Sequence, residues 1–358
     1  VKSKRFIPMA DQLPVIVVIA PLLGALLLGL VGDRDHRVCL PVVLASLGVA
    51  LLAGIGLLRR VLVEGPIDYF LGGWEKPLGV GIVLRADAMN TPVVLLVAAV
   101  ALLVASFSRR PAGAPDSEKS PQYYALFLLL CTALLGIAVT ADAFNLFVLV
   151  EVSSLSSYGL VAIGSSRRSK IAALNYLIMG TVGASFYLLG TGYLYLSVGS
   201  LNMADIQAIL ASNEAAASSR AVRTAFVLML VGIWIKMAFF PLYGWLPNAY
   251  SYCPSASSSL LAPLMTKVSV YVMVRVMTGV FGLDWIFGHL GWNHLVVWFA
   301  VVAILAGSIL ALAQRELKKM LCYLIVAEVG YMVGGAWLGD AEGWGLSGAL
   351  YHILGDGL

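Results

Sequence analysis

"GIWIKMAFFPLYGWLP", residues 232–247, sets one lysine in an apolar stretch, with Pro241 five positions later and Pro247 at the end. Proline lacks an N–H, and its ring clashes with the carbonyl four residues back. Pro241 therefore frees the Met237 carbonyl and breaks or kinks the helix beside Lys236. At membrane depth such irregular backbone survives only where it is buried in protein or faces a watery cavity. A lysine one turn from that break can be hydrated and desolvated by turns. Snorkelling to the interface is disfavoured, because mostly apolar sequence lies on both sides of it.

The rest of the chain establishes that the depth is that of a membrane. Of 358 residues 60% are hydrophobic and 12% charged, and the mean hydropathy is +0.92, against roughly 25% charged residues in a soluble domain. Eleven segments meet the requirement of about 20 predominantly apolar residues: 13–31, 38–58, 86–107, 123–140, 142–163, 171–197, 221–246, 256–281, 292–313, 317–338 and 343–358. The expectation is an all-α polytopic membrane protein, a single bundle over 1–358 in which 1–120 supplies the N-terminal spans. The first apolar run follows Lys2, Lys4 and Arg5, but its length and the span directly after it favour a retained helix over a signal peptide.

Loops carry the remaining organisation. "VEGPIDYFLGGWEKPLGVGIVLRAD" (63–87) is punctuated by Gly and Pro and suits an extracytoplasmic hairpin. "SRRPAGAPDSEKSP" (108–121) and "LASNEAAASSR" (210–220) read as polar connectors. Short loops after spans one, three, five and nine hold 11 of the 23 Lys and Arg, against nine on the other side, six of those in long loops. The positive-inside rule makes these short loops cytoplasmic and the N-terminus extracytoplasmic, in a cell (inner) membrane.

Several function classes find no support. Cys39, Cys131, Cys253 and Cys322 are scattered, without metal or redox spacing, and read as packing residues. There is no nucleophile elbow, HExxH, P-loop or Rossmann glycine pattern, and no His pair placed for haem. No loop is long enough for a nucleotide, iron–sulfur or haem domain. No cofactor, metal or nucleic-acid partner is expected, and any redox chemistry would lie in partner subunits.

What needs explaining is charge inside spans: Glu151, Lys236, Lys267, Arg275, Glu328, His352 and Asp356. Each charge at the bilayer centre costs about 2.5–3.5 kcal/mol on insertion scales. One explanation is structural, opposite charges pairing across helices to orient the bundle. The other is an internal polar path for protons or a cation, which so many charges of both signs favour. Glu151 is followed by Ser153, Ser154, Ser156 and Ser157, whose hydroxyls hold water or bond helix carbonyls. Asp142, about 13 Å before it along a helix, reads as interfacial. Pro263 predicts a second kink near Lys267. Arg275 stays protonated, so it tunes a neighbour, pairs in a salt bridge or meets lipid phosphate. Glu328 either pairs with a lysine or occupies a second polar pocket. His352, with Asp356 one turn on, suits proton relay, although a lone histidine on an apolar helix is commonly a packed neutral group.

"NLFVLVEVSSLSSYGLVAIG", "AALNYLIMGTVGASFYLLG", "GIWIKMAFFPLYGWLPNAYSYCPSASSSLLAPLMTKVSVYVMVR" and "RELKKMLCYLIVAEVGYMVGG", in order over roughly 145–335 and followed by "GALYHIL", resemble one family. It comprises the antiporter-like proton-translocating subunits of Mrp-type Na+/H+ antiporters, complex I and membrane-bound hydrogenases. "EVSSLSSYGLVA" and "FFPLYGWLPNAY" look most like the antiporter's D-type member. The resemblance implies two inverted five-helix repeats with broken helices, the first over 121–281 and broken near Lys236–Pro241. The second, over 292–358, is incomplete. It implies a relay in which Glu151 and Lys236 form a switching pair, while Lys267 and His352 pass protons on; Glu328, Arg275 and Asp142 would be modulators. The implied partners are other membrane subunits, the lipid bilayer, protons, and Na+ or K+. The function so implied is a proton-translocating subunit of a cation/proton antiporter. Its alternatives are a membrane-arm subunit of a proton-pumping quinone oxidoreductase or hydrogenase, and a non-conducting structural subunit.

Overall fold

The computed structural model describes residues 9–32, 36–73, 81–108, 120–339 and 343–358. Most of the polar connector at 108–121, the basic N-terminal residues and the tip of the 63–87 hairpin lie outside the described residues. The helices follow in chain order. They begin with α1 (Leu13–Val31) and α2 (Cys39–Glu64), then strands β1 (Ile67–Phe70) and β2 (Val83–Ala86), α3 (Thr91–Ser108), α4 (Ser120–Val139), α5 (Ala143–Ala162) and α6 (Arg167–Val198). Three shorter helices come next: α7 (Met203–Ser212), α8 (Glu214–Ala217) and α9 (Arg220–Lys236). The rest are α10 (Leu246–Tyr252), α11 (Ser255–Val276), α12 (Leu283–His289), α13 (Asn293–Leu312), α14 (Leu317–Trp337) and α15 (Trp344–Gly357).

Nine helices among the described residues are long and apolar enough to cross a membrane. They are α1–α6, α11 with the π-helical turn Met277–Phe281 that continues it, α13 and α14. The two other expected spans appear as shorter helices, α9 with 17 residues and α15 with 14. The chain is a multi-pass, all-α membrane protein, and its strands form one small antiparallel hairpin pairing Ile67 with Ala86 and Phe70 with Val83.

Burial patterns say where each helix sits. In α13 the buried residues are Val296, Ala300, Ala303, Gly307 and Ala311, a single stripe at three- and four-residue spacing that packs on α14. Its other faces carry exposed Leu295, Trp298, Leu305 and Ile309, as a helix bordering lipid does. In α11, by contrast, 16 of 22 residues are buried, and it touches α3, α4, α5, α9, α14 and α15. It is the central rod of the bundle. Pro263, where a kink was expected, lies inside α11 without ending it, and the helix continues to Val276.

Close approach between α6 and α9 depends on small residues. A side chain at Gly183 would meet the Gly232 carbonyl, and one at Gly190 would meet the Ala225 carbonyl. The stretch 210–220, expected to be a polar connector, forms the end of α7 and the one-turn α8. Asn202, Asn213 and Ser219 cap α7, α8 and α9 by accepting hydrogen bonds from the first free amides.

Candidate functional site

The predicted break lies closer to Lys236 than Pro241 does. Helix α9 ends at Lys236 itself, and Met237–Trp245 is non-helical, with Pro241 inside it after a cis Phe240–Pro241 bond. Ala238 takes φ +57°, a left-handed conformation that turns the chain off the helix axis. The freed Ile235 carbonyl accepts the Trp245 indole Nε1–H at 2.9 Å and so pins the far side of the break to the helix end. Pro247, at the start of α10, reopens a helix where its missing N–H costs nothing.

This geometry puts the Lys236 ammonium at a helix C-terminus, where the aligned peptide dipoles leave partial negative charge. Lys236 is 9% exposed. Its Nζ donates to Glu151 Oε1 at 3.2 Å and to Ser154 Oγ at 2.6 Å. Glu151 and Ser154 are three residues apart on α5, hence on one face. All four serines after Glu151 bond to their own helix: Ser153 and Ser154 donate to the Val150 carbonyl, Ser156 to Val152 and Ser157 to Ser154. Beside Lys236 is a cavity of about 30 Å³ walled by Ile137, Ser154, Gly232, Met265, Val268 and Ser269, room for about one or two waters.

Lys267, on the central α11, has a different setting. It is 2% exposed, with Asp356 Oδ2 at 2.6 Å and Glu328 Oε2 at 3.4 Å. Of the two readings left open for Glu328, the structure shows pairing with a lysine. Met265, Val268 and Ser269 of the same helix wall the Lys236 cavity, so α11 is the element common to both sites. His352 sits on α15 one turn before Asp356, its ring stacked on Tyr331 with centroids 6.2 Å apart. Among the described residues it makes no ion pair. The α15 residue that touches Lys267 is therefore Asp356 rather than His352.

Arg275 forms the salt bridge that was one of its readings. Its Nη1 lies 2.6 Å from Asp87 Oδ2, just after the hairpin. The same carboxylate stands 3.6 Å from Arg85, which reaches Asp68 on β1 at 3.8 Å. Asp87 Oδ1 also accepts the Met89 and Asn90 amides that open α3. Asp142 caps α5, accepting from Asn145 N at 2.6 Å, so its role is at a helix end, as an interfacial reading requires. Burial raises its carboxyl above the ordinary carboxylate range, against the pull of the Asn145 and Phe144 amides.

Three participants were not singled out in their roles from sequence: Asp87, Ser154 as a direct Lys236 ligand, and Asp356 as a Lys267 partner. A signal existed for the first, since "RADAMNTP" has the Asp and Asn that precede a helix start. It did not name Arg275, 188 residues away.

The family profile described as "NADH:quinone oxidoreductase/Mrp antiporter, TM" matches residues 140–358, which span both lysines and their carboxylates. The chain is 41% identical to the N-type membrane component of NADH-quinone oxidoreductase from Desulforudis audaxviator (strain MP104C), over 98% of this chain and 68% of that protein. It is 31% identical to the D-type component of the Na(+)/H(+) antiporter from Bacillus subtilis (strain 168), over 96% of this chain and 66% of the relative. Among solved structures it resembles a chain of the archaeal membrane-bound sulfane sulfur reductase, with TM-score 0.86 at 26% identity over 97% of this chain and 68% of the other. It also resembles a chain of the Mrp complex from Dietzia sp. DQ12-45-1b, with TM-score 0.84 at 25% identity over 97% and 62%. The chain thus spans about two thirds of the length of these relatives. By profile, sequence and fold together, it belongs to the NADH:quinone oxidoreductase/Mrp antiporter transmembrane family.

Proposed function

We propose that this chain is a proton-translocating subunit of a larger complex in the cell membrane, with its N-terminus extracytoplasmic. Lys236 carries the proton and Glu151 controls its release. The observation that carries this reading is the Lys236 ammonium at the end of a broken helix, held by one carboxylate and one hydroxyl. With Glu151 at 3.2 Å the ammonium has a counter-charge; with Glu151 turned away it faces desolvation alone, which disfavours the charged form. A small displacement of one carboxylate therefore loads or unloads a proton. Lys267, held by Asp356 and Glu328, is the next station along α11. Na+ or K+ as exchanged ions fit the antiporter form of this function.

Two energy sources have support. The Bacillus relative is named as part of a Na(+)/H(+) antiporter, and the more similar Desulforudis relative as part of NADH-quinone oxidoreductase. In either setting the chain's own residues do the same work, and neighbouring membrane subunits supply the rest. Proteoliposomes holding the complex test the core of the reading. Lys236→Ala is expected to lower pH-dye-detected proton flux by about 100-fold, the scale of losing a positioned proton carrier. Undiminished flux would sink it. Copurification of an iron–sulfur protein separates the redox-driven complex from the antiporter.

A further inference from the structure

Next to Lys236, on the side away from α9, is a row of buried hydroxyls that the Glu151 switch does not use. The row begins at Ser154, whose Oγ accepts from Lys236 and gives its own hydrogen to the Val150 carbonyl at 2.7 Å. Tyr158 follows one turn later on α5, on the helix face that carries Ser154. That hydroxyl fits because residue 180 of α6 is glycine, where any Cβ would collide with it. Tyr176 of α6 meets Tyr158 edge-on at 4.6 Å between centroids and accepts from Ser157 at 3.2 Å. It lies flat on Trp245 at 4.2 Å, the indole anchored to the open end of α9. Tyr250 of α10 meets both Tyr176 and Trp245 edge-on. Just beyond, Lys318 donates to the Cys253 carbonyl, and Arg168 and Lys319 lie over the Tyr252 ring.

Tyr158 is 5% and Tyr250 1% exposed, and neither hydroxyl finds a hydrogen-bond partner among the described residues. A buried hydroxyl left unpaired costs about 1–3 kcal/mol, and phenylalanine would pack the same space without that cost. Orphaned polar groups in native proteins mark an internal water or a working group. Here two of them belong to one cluster with Ser154, Ser157 and Tyr176, and the cluster lies between a buried ammonium and a basic membrane face.

We propose that Ser154, Tyr158, Tyr176 and Tyr250, completed by internal water, are the proton wire between Lys236 and the face that carries Arg168, Lys318 and Lys319. The inference rests on Lys236 being the carrier. Each transfer conserves protons: Ser154 first turns its hydrogen from the Val150 carbonyl towards Tyr158, then takes one from Lys236 as it passes its own on through internal water. Tyr158 passes one to Tyr176, Tyr176 to Tyr250, and Tyr250 to water at the face. Lys236 ends neutral, every hydroxyl ends neutral, and no oxidant or reductant takes part. Rotation of each hydroxyl back, with Ser154 returning to the Val150 carbonyl, resets the wire. The break in α9 thus positions two things at once, the lysine at its end and, through Trp245, the middle of its wire.

Tyrosine-to-phenylalanine exchange removes the hydroxyl and keeps the ring, so packing and conduction separate. In proteoliposomes of the isolated complex, Tyr158→Phe and Tyr250→Phe are each expected to lower proton flux about tenfold or more, with the thermal unfolding midpoint of the complex not lowered. The double variant is expected to be no slower than the slower single one, because the two groups act in series. Parental flux in either single variant, or a double variant as slow as the product of the two, overturns the wire while Lys236→Ala remains inactive. Flux that survives Lys236→Ala instead removes the carrier itself.

Discussion

Lys236 and Lys267 are two buried ammoniums in one bundle, and they are held in opposite ways. Lys236 ends a broken helix and, among the described residues, has a single carboxylate, that of Glu151 on α5. Lys267 sits within the uninterrupted α11 and has two, Asp356 on α15 and Glu328 on α14. Removing one counter-charge from a buried ion is severe when nothing replaces it. In the proposed function Lys236 is therefore a switch with one control, and Lys267 a station expected to keep its charge when either neighbour is lost. Arg275 gives the limiting case. Its guanidinium is always protonated and meets Asp87, itself fixed by two backbone amides, so it joins parts without moving charge.

That contrast can be broken at several points. The largest expected effect is at the single control: Glu151→Gln should reduce proton flux in proteoliposomes by about tenfold or more, and unchanged flux would end the comparison. At the second lysine the effect should be conditional. Glu328→Gln and Asp356→Asn are each expected to cost less than about threefold in flux, and together more than their product, the non-additivity of groups sharing one partner. Two large single effects would make Lys267 the same kind of site as Lys236. At Arg275 the readout changes: Asp87→Asn should destabilise by about 3 kcal/mol in thermal unfolding of the purified complex, with flux per folded complex unaltered. The smallest effect belongs to Asp142, where Asp142→Ala should cost about 1 kcal/mol as a lost cap and Asp142→Asn, which caps equally well, almost nothing.

How much of this was legible in sequence follows from the range of each interaction. The break was readable because Pro241 acts on its own backbone, although its extent from Met237 to Trp245 was not. That depends on Trp245 reaching back to the Ile235 carbonyl, a contact ten residues long. Pro263 is the contrasting case, since a proline lies inside α11 without ending it, amid packing that no local pattern describes. The identity of Glu151 as the partner of Lys236 came through resemblance and not spacing, the two being 85 positions apart. For Lys267 the resemblance named His352 as a fellow relay member and gave no ion-pair partner; the carboxylate one turn later on α15 makes that contact. A one-turn shift along α15 is below what a motif resolves, because both residues face the same way on the helix.

Helix α6 has 32 residues, about 48 Å of rod against a hydrocarbon layer about 30 Å thick. It must lean or emerge. Its glycines press against α9, so a change in its lean is handed directly to the helix that ends in Lys236. Acyl-chain length in the host membrane thereby becomes a mechanical input to the proposed proton site, and lipids of graded length are a dial that acts on it without touching a side chain.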